Sequence, residues 1–170
     1  MNKNNKIRLL IADDSFFMRK LLARLLEKES NIEIIGSAKD GNEAVELAKH
    51  LRPDVITMDY NMPGINGAMA TREILSEPDY HPAIIMLSAF TKEGAQETLE
   101  CLRAGAVDFL QKPSGELSLD IDKIGDELIG KIEVAAHATV HVRPEAKAVY
   151  KPKLAQKRKF DSERKGVPHY

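Results

Sequence analysis

The chain has 170 residues, of which 43% are hydrophobic and 30% charged, with a formal net charge of −1, and this length suits one full domain. It has no run near the roughly 18 apolar residues of a membrane helix, residues 1–6 lack the apolar core of an export signal, and the single Cys101 excludes a disulfide framework within the monomer. We therefore expect a cytoplasmic domain, and an aromatic content of 5% without Trp argues against a stacking surface for single-stranded nucleic acid.

Predicted strands and helices alternate along the first 135 residues. The strands are short apolar runs, as expected for buried strands that lead into loops. Apolar residues recur every three or four positions between them, as in amphipathic helices, and Ser15 is a candidate N-cap for the first helix. The predicted strands are Ile7–Ala12, Ile32–Ser37, Asp54–Met58, Ala83–Leu87 and Ala106–Leu110. The later predicted helices are Gly41–Leu51, Gly67–Leu75, Lys92–Ala104 and Leu117–Ile132.

This alternation predicts an α/β fold. Five strands, each followed by a helix, favour a five-stranded parallel sheet with helices on both faces. Right-handed crossovers make it a doubly wound sheet, and such sheets bind ligands beyond the carboxyl ends of their strands.

Polar side chains follow four of the five predicted strands. They are Asp13 and Asp14 after the first, Asp59 after the third, Ser88 after the fourth and Lys112 after the fifth. Any one of these acids alone could be an ordinary helix cap or turn residue. Because parallel strands share one carboxyl-end edge, however, we expect all five side chains to converge there.

The converging groups indicate phosphoryl transfer to an aspartate. Three crowded carboxylates repel one another unless a cation is present, and Mg²⁺ prefers oxygen ligands of this kind. An ammonium group and a hydroxyl group can engage phosphoryl oxygens. A carboxylate held beside Mg²⁺ can itself attack phosphorus, which yields an acyl phosphate.

These motifs resemble those of response-regulator receiver domains over roughly residues 7–135. The matching elements are the acidic pair Asp13-Asp14, the phosphoacceptor loop from Met58 to Gly67, Ser88-Ala89 and Lys112-Pro113. The resemblance implies a flavodoxin-like receiver fold with strand order 2-1-3-4-5. It departs from the family pattern at Asn66, where an Asp is common.

The resemblance also implies a role for each site residue. Asp59 would be the phosphoacceptor, and Ser88 and Lys112 would bind the phosphoryl group and take part in the switch. Mg²⁺, with Mn²⁺ as an alternative, would be held by Asp13, Asp14, Asp59 and the backbone carbonyl of Asn61. Asp13 would act on the metal largely through water.

Two further expectations concern the fifth strand and its end. Phe109 lies three residues before Lys112, at the position of the family's switch aromatic. A cis peptide before Pro113 would aim Lys112 into the cleft. Together with Ser88, Phe109 would alter the surface formed by the fourth helix, fifth strand and fifth helix when Asp59 is phosphorylated.

Several segments are similar to the receivers of chemotaxis-type protein-glutamate methylesterases. They are Asp14-Ser15-Phe16-Phe17-Met18-Arg19, Ala106-Val107-Asp108-Phe109 and Lys112-Pro113-Ser114-Gly115 followed by Ser118-Leu119-Asp120-Ile121. A methylesterase also needs a nucleophilic serine on a tight turn, but the chain contains no G-x-S-x-G motif. We therefore expect the chain not to be an enzyme, apart from catalysing its own phosphorylation and dephosphorylation.

The charge distribution predicts a boundary near residue 135. Residues 138–170 contain nine basic and three acidic residues, whereas residues 1–137 contain 16 basic and 23 acidic residues. Such a shift in composition separates folded domains from linkers. We therefore predict a receiver domain over residues 1–135 and a basic, largely extended or disordered linker over residues 136–170.

The leading interpretation is a two-component response regulator that accepts a phosphoryl group from a histidine kinase and regulates a methylesterase in a longer parent chain. One alternative is a stand-alone receiver whose basic tail binds nucleic acid or another partner, although nucleic-acid binding without a helix-turn-helix motif has weak support. Another is a Mg²⁺-dependent phosphatase with an aspartyl nucleophile. Such enzymes need a second acid two residues after the nucleophile, and Asn61 and Ser15 occupy those positions here.

Overall fold

The computed structural model describes residues 6–89, 92–112 and 121–137. Strands and helices alternate strictly along these ranges. The strands are β1 (Ile7–Ala12), β2 (Ile32–Ala38), β3 (Val55–Asp59), β4 (Ala83–Ser88) and β5 (Asp108–Gln111). The helices are α1 (Phe16–Leu26), α2 (Gly41–Leu51), α3 (Gly67–Leu75), α4 (Lys92–Ala104) and α5 (Ile121–Ala136).

All five strands form one parallel sheet in the order β2-β1-β3-β4-β5. The chain therefore starts near the middle, moves to one edge, returns and then proceeds to the other edge. This is the predicted doubly wound α/β topology. It leaves a crevice beyond the carboxyl ends of β1 and β3, where the winding direction reverses.

Two apolar layers cover the sheet, because side chains alternate between its faces along each strand. Leu10, Ile56 and Met86 point to the face covered by α2, α3 and α4. Neighbouring strand residues such as Ile11 and Ile85 point to the face covered by α1 and α5. Cys101 lies fully buried in the first layer, as expected for a small apolar side chain.

Helix caps follow the sequence pattern. The Ser15 hydroxyl accepts a hydrogen bond from the backbone N–H of Met18, which confirms Ser15 as the N-cap of α1. Asp40 caps α2 in the same way, by accepting from the N–H of Glu43. No helix in the described ranges combines the length and the apolar character needed to cross a membrane.

The predicted fifth strand starts two residues too early. The N–H of Ala106 donates to the carbonyl of Cys101, and Gly105 has φ +118°, so the helix-ending turn of α4 includes Ala106. The N–H of Val107 then donates to Ile84, and β5 begins at Asp108. Helix α5 continues beyond the predicted end at Ile132, to Ala136.

Two predictions lie outside the described residues. Pro113 and the preceding peptide bond fall in the segment 113–120, and most of the predicted basic linker falls in 138–170. The cis peptide and the domain boundary near residue 135 therefore stay predictions.

Candidate phosphoacceptor site

The sheet brings the predicted site residues to one edge. Asp59 ends β3, and Asp13 follows directly after β1, the strand paired with β3. Ser88 ends β4 and pairs with Gln111 of β5. The backbone N–H of Lys112 donates to the carbonyl of Ser88 over 2.8 Å, so the pairing of β4 and β5 places Lys112 at the same edge.

Three carboxylates form the centre of this edge. One oxygen each from Asp13, Asp14 and Asp59 lies within 4.8 Å of the others. Asp13 is fully buried and Asp59 is 5% exposed, whereas Asp14 is exposed at the mouth of the cluster. The carboxylates of Asp13 and Asp59 are therefore shielded from water, whereas that of Asp14 faces solvent.

Lys112 neutralises part of this charge. Its Nζ atom lies 2.8 Å from Oδ2 of Asp13 and 3.0 Å from Oδ1 of Asp59. Burial by itself lowers the pKa of Lys112, but its contact with Asp13 and the charge of Asp59 outweigh burial and raise that pKa. The ammonium group consequently stays charged over the physiological pH range.

The surroundings of Asp59 disfavour its charged form. Burial, and after it the charge of Asp13, raise the pKa of Asp59 from 3.8 to about 6, although Lys112 opposes the shift. At pH 7 the carboxylate is still mainly ionised. Asp59 is therefore both poorly solvated and negatively charged, which are suitable properties for a nucleophile.

Asp13 is held rigidly by the start of α1. Its Oδ1 atom accepts from the N–H of Ser15 over 2.9 Å, and its carbonyl accepts from Nη1 of Arg19 over 2.7 Å. Its other carboxylate oxygen faces Lys112. No sequence pattern predicts this contact between Arg19 and a backbone carbonyl.

The loop after Asp59 closes tightly over the strand end. A Cβ atom on Gly67 would lie 2.2 Å from the carbonyl oxygen of Asp59, so no side chain fits at that position. The N–H of Gly67 donates to the carbonyl of Tyr60 over 2.8 Å, and Gly64 turns the loop with φ +80°. These contacts fix the position of the Asp59 backbone at the sheet edge.

The remaining predicted residues lie around the cluster. Ser88 is 5% exposed at the end of β4. Phe109 is 46% exposed, and Nζ of Lys131 lies 5.8 Å from the centre of its ring, so the aromatic ring points outward. The Asn61 side chain donates to the Glu97 carboxylate on α4 over 3.2 Å, a contact that the sequence does not predict.

The donor set fits a hard divalent cation. Three carboxylates supply oxygen ligands, and the exposure of Asp14 leaves room for water, which Mg²⁺ retains when it binds proteins. The charge balance points the same way, because Lys112 pairs with only two of the three carboxylates. The cluster could therefore hold a metal ion.

Comparison with known proteins agrees with this arrangement. The family model for the response regulator receiver domain matches residues 9–121. The chain belongs to the response regulator receiver family. Among solved structures, the response regulator domain of Thermotoga maritima CheB is 44% identical, with a TM-score of 0.71, and the match covers 79% of this chain and 99% of that one. The receiver prediction is thus confirmed.

The chain also matches curated relatives that are named as enzymes. A protein-glutamate methylesterase/protein-glutamine glutaminase from Methanococcus maripaludis is 50% identical over 140 residues, which cover 82% of this chain and 38% of that protein. One of the same name from Bacillus subtilis is 41% identical over 159 residues, which cover 88% of this chain and 44% of that protein. The chain thus spans less than half the length of these relatives.

These relatives overturn one expectation. The missing G-x-S-x-G motif predicts that the chain is not an enzyme. That inference is wrong, because proteins named as methylesterases align with most of this chain through their receiver part. A motif confined to another part of a protein cannot decide whether the family is enzymatic.

Proposed function

We propose that this chain is a phosphorelay receiver in which Asp59 accepts a phosphoryl group from the phosphohistidine of a histidine kinase. The observation that supports this most directly is the position of Asp59. Its carboxylate lies at the sheet edge, with Lys112 at 3.0 Å and two further carboxylates within 4.8 Å. A site with this charge pattern suits positioning and charge stabilisation, the main requirements of phosphoryl transfer.

In the proposed reaction, an ionised oxygen of Asp59 attacks phosphorus. The P–N bond of the phosphohistidine breaks, its electron pair returns to the imidazole, and an acyl phosphate forms on Asp59. With the pKa of Asp59 at about 6, most of the carboxylate is ionised at pH 7. Lys112 would remain beside the new phosphoryl group, and the Ser88 hydroxyl would donate to one of its oxygens.

Mg²⁺ is part of the proposal, with Mn²⁺ as an alternative. Asp13, Asp14 and Asp59 would hold the ion together with the backbone carbonyl of Asn61, and Asp13 would contribute largely through water. The ion would supply positive charge that neutralises the phosphoryl oxygens. Asp13 suits an indirect role, because the N–H of Ser15 and the ammonium of Lys112 already engage its two carboxylate oxygens.

The phosphoryl group would then change the surface of α4, β5 and α5. It adds about −1.5 to −2 charge units and strong hydrogen-bond acceptors. If Ser88 moves toward the phosphoryl group, the exposed Phe109 ring gains space to turn inward. Because the relatives are methylesterases, we propose that the regulated output is a methylesterase in chemotaxis; a cytoplasmic location stays a prediction.

The phosphatase alternative has less support. It requires a proton donor two residues after Asp59, and the Asn61 side chain is an amide already bonded to Glu97. Nucleic-acid binding by the basic segment concerns residues outside the described ranges, and none of the described contacts favours it.

The test is phosphorylation by a small acyl phosphate. The 170-residue chain would be incubated with acetyl phosphate and Mg²⁺ and analysed by Phos-tag electrophoresis and mass spectrometry. We expect one labelled site in the wild type and no labelling in Asp59→Asn, because the amide is not a nucleophile. Asp54→Asn is the matched control: it makes the same change just before β3, at the other end of the strand, and should label normally. Equal labelling of Asp59→Asn and wild type would refute the assignment.

A further inference from the structure

The residue after the proposed phosphoacceptor links two helices through its hydroxyl group. The Tyr60 hydroxyl donates to Oε2 of Glu100 on α4 over 2.7 Å. It also accepts a hydrogen bond from Nδ2 of Asn66, the N-cap of α3, over 3.3 Å. Tyr60 therefore joins the loop between β3 and α3 to both flanking helices.

The orientation of the Asn66 amide is fixed by its cap. Its Oδ1 atom accepts from the backbone N–H of Met69 over 2.9 Å, so the NH₂ group must face Tyr60. An aspartate at position 66 would cap α3 equally well but would have no hydrogen to donate. Asn66, which departs from the family pattern, therefore donates a hydrogen bond to Tyr60 that an aspartate could not donate.

Glu100, which accepts the hydrogen bond from Tyr60, is also held in place. Oε1 of Glu100 lies 3.9 Å from Nη1 of Arg72 on α3, so α3 and α4 are bridged beside the loop. One turn earlier on α4, Glu97 accepts from Asn61. Both residues that directly follow Asp59 therefore donate a hydrogen bond to α4.

We propose that Asn66 and Glu100 are positioning residues for the phosphorylation of Asp59, and that both act through the Tyr60 hydroxyl. This inference rests on the proposed function. The Gly67 backbone fixes one end of the loop against the Asp59 carbonyl. The hydrogen bonds of Tyr60 fix the other end, so the strand end cannot tilt while the carboxylate attacks. Loss of either partner leaves the Tyr60 hydroxyl half satisfied and the loop less restrained.

The test exchanges the two partners. Asn66→Asp places two carboxylates on one hydroxyl group, and Glu100→Gln replaces the charged acceptor with an amide that can accept or donate. The double variant Asn66→Asp/Glu100→Gln restores one carboxylate and one amide around Tyr60, with their positions reversed. The rate of labelling by acetyl phosphate with Mg²⁺ and the melting temperature would be measured on the full chain for all three.

We expect Asn66→Asp to be labelled about 3- to 10-fold more slowly than the wild type, the effect of one hydrogen bond. Glu100→Gln should be labelled at within about twofold of the wild-type rate, because its amide oxygen still accepts from the Tyr60 hydroxyl. The double variant should return to within about twofold of the wild-type rate, because the donor and acceptor roles are both filled again. In a Tyr60→Phe background, Asn66→Asp should have no further effect on the rate. Glu73→Gln on α3 is the control for charge removal, because Glu73 pairs with Lys49 instead.

The possible results separate this inference from the proposed function. If the wild type is not labelled at Asp59, the proposed function fails and the inference fails with it. If the wild type is labelled and Asn66→Asp matches its rate, the inference alone is wrong. It is also wrong if the double variant is labelled no faster than Asn66→Asp, since the exchange then fails to restore the network. Recovery of rate without a matching change in melting temperature supports positioning rather than general stabilisation.

Discussion

The two ends of β3 have acidic residues in opposite circumstances. At the amino end, Asp54 accepts from the N–H of Arg8 over 2.8 Å, and its own N–H donates back to Arg8 over 2.8 Å. Nearby, the Tyr80 hydroxyl donates to the carbonyl of Pro53. At the carboxyl end, Asp59 shares one ammonium group with Asp13 and lies close to Asp14.

The amino end of β3 thus contributes to stability and the carboxyl end to reactivity, although Asp54 and Asp59 are only five residues apart. Groups at the amino end have matched donors and acceptors, so they stabilise the sheet without a ligand. The carboxyl end has more negative charge than Lys112 neutralises, and this mismatch is present before any ligand binds. Such stored electrostatic cost is typical of functional sites, where binding or chemistry relieves it.

Removal of the shared ammonium group should have the largest effect on stability. Lys112→Met leaves the buried Asp13 carboxylate and Asp59 without a cation, and we expect a loss of about 3 kcal/mol at pH 8. The loss should be smaller at pH 5, where Asp59 can take up a proton. Urea unfolding at both pH values measures this loss.

The control variant, Lys131→Met, breaks the more exposed ion pair with Asp108, and its loss of stability should be below about 1 kcal/mol. A loss at Lys112 no greater than that control would show that the two ends of β3 are electrostatically alike.

Neutralising Asp59 should stabilise the protein, increasingly so at higher pH. Because its folded pKa of about 6 lies above the ordinary 3.8, the folded state binds more protons between these values, and this group makes stability fall as pH rises. Asp59→Asn removes that fall. The difference in unfolding free energy between the variant and the wild type should grow by about 2 to 3 kcal/mol from pH 4 to pH 7. The difference for Asp54→Asn should not grow in this way; a flat difference for Asp59→Asn would refute the raised pKa.

Mg²⁺ should partly remove the electrostatic cost at the carboxyl end. At about ten times its Kd, a ligand specific for the folded state adds about 1.4 kcal/mol of stability. We expect this gain in thermal unfolding of the wild type and of Asp54→Asn, but a much smaller one in Asp14→Asn, which lacks the exposed carboxylate. An equal gain in wild type and Asp14→Asn would place the ion elsewhere.

A change at the amino end of β3 should have the smallest effect on stability, and this effect should not depend on pH or Mg²⁺. Tyr80→Phe removes one hydrogen bond to the Pro53 carbonyl, which corresponds to about 1 kcal/mol. The loss in urea unfolding should be the same at pH 5 and pH 8, with or without Mg²⁺. A loss that varied with Mg²⁺ would mean that the two ends of the sheet are coupled.

Much of the fold follows from local sequence patterns. The bounds of α2, α3 and α4 agree with the prediction because the apolar spacing of each helix is encoded within the segment itself. The predicted start of β5 is wrong because the turn that ends α4 depends on hydrogen bonds from Gly105 and Ala106 back to Cys101. Such bonds form only when the chain reverses, and the apolar run gives no sign of them.

The site was predictable only in part, for a related reason. Asp13, Asp59 and Lys112 converge because parallel strands share an edge, and this follows from topology alone. The contacts of Tyr60 and Asn61 with α4 depend on how that helix rotates against the sheet. Sequence separation of 36 and 40 residues leaves no local pattern for these pairs.

The close contact between Gly67 and the Asp59 carbonyl has a consequence for mutational scanning. Position 67 bears no reactive group, yet even a methyl group there would collide with backbone atoms that cannot yield. In a scan scored by signalling output, Gly67 should therefore be as intolerant of substitution as Asp59 itself. A charged site residue can be replaced by another of the same charge, but every substitution of Gly67 adds at least a Cβ atom, for which there is no space.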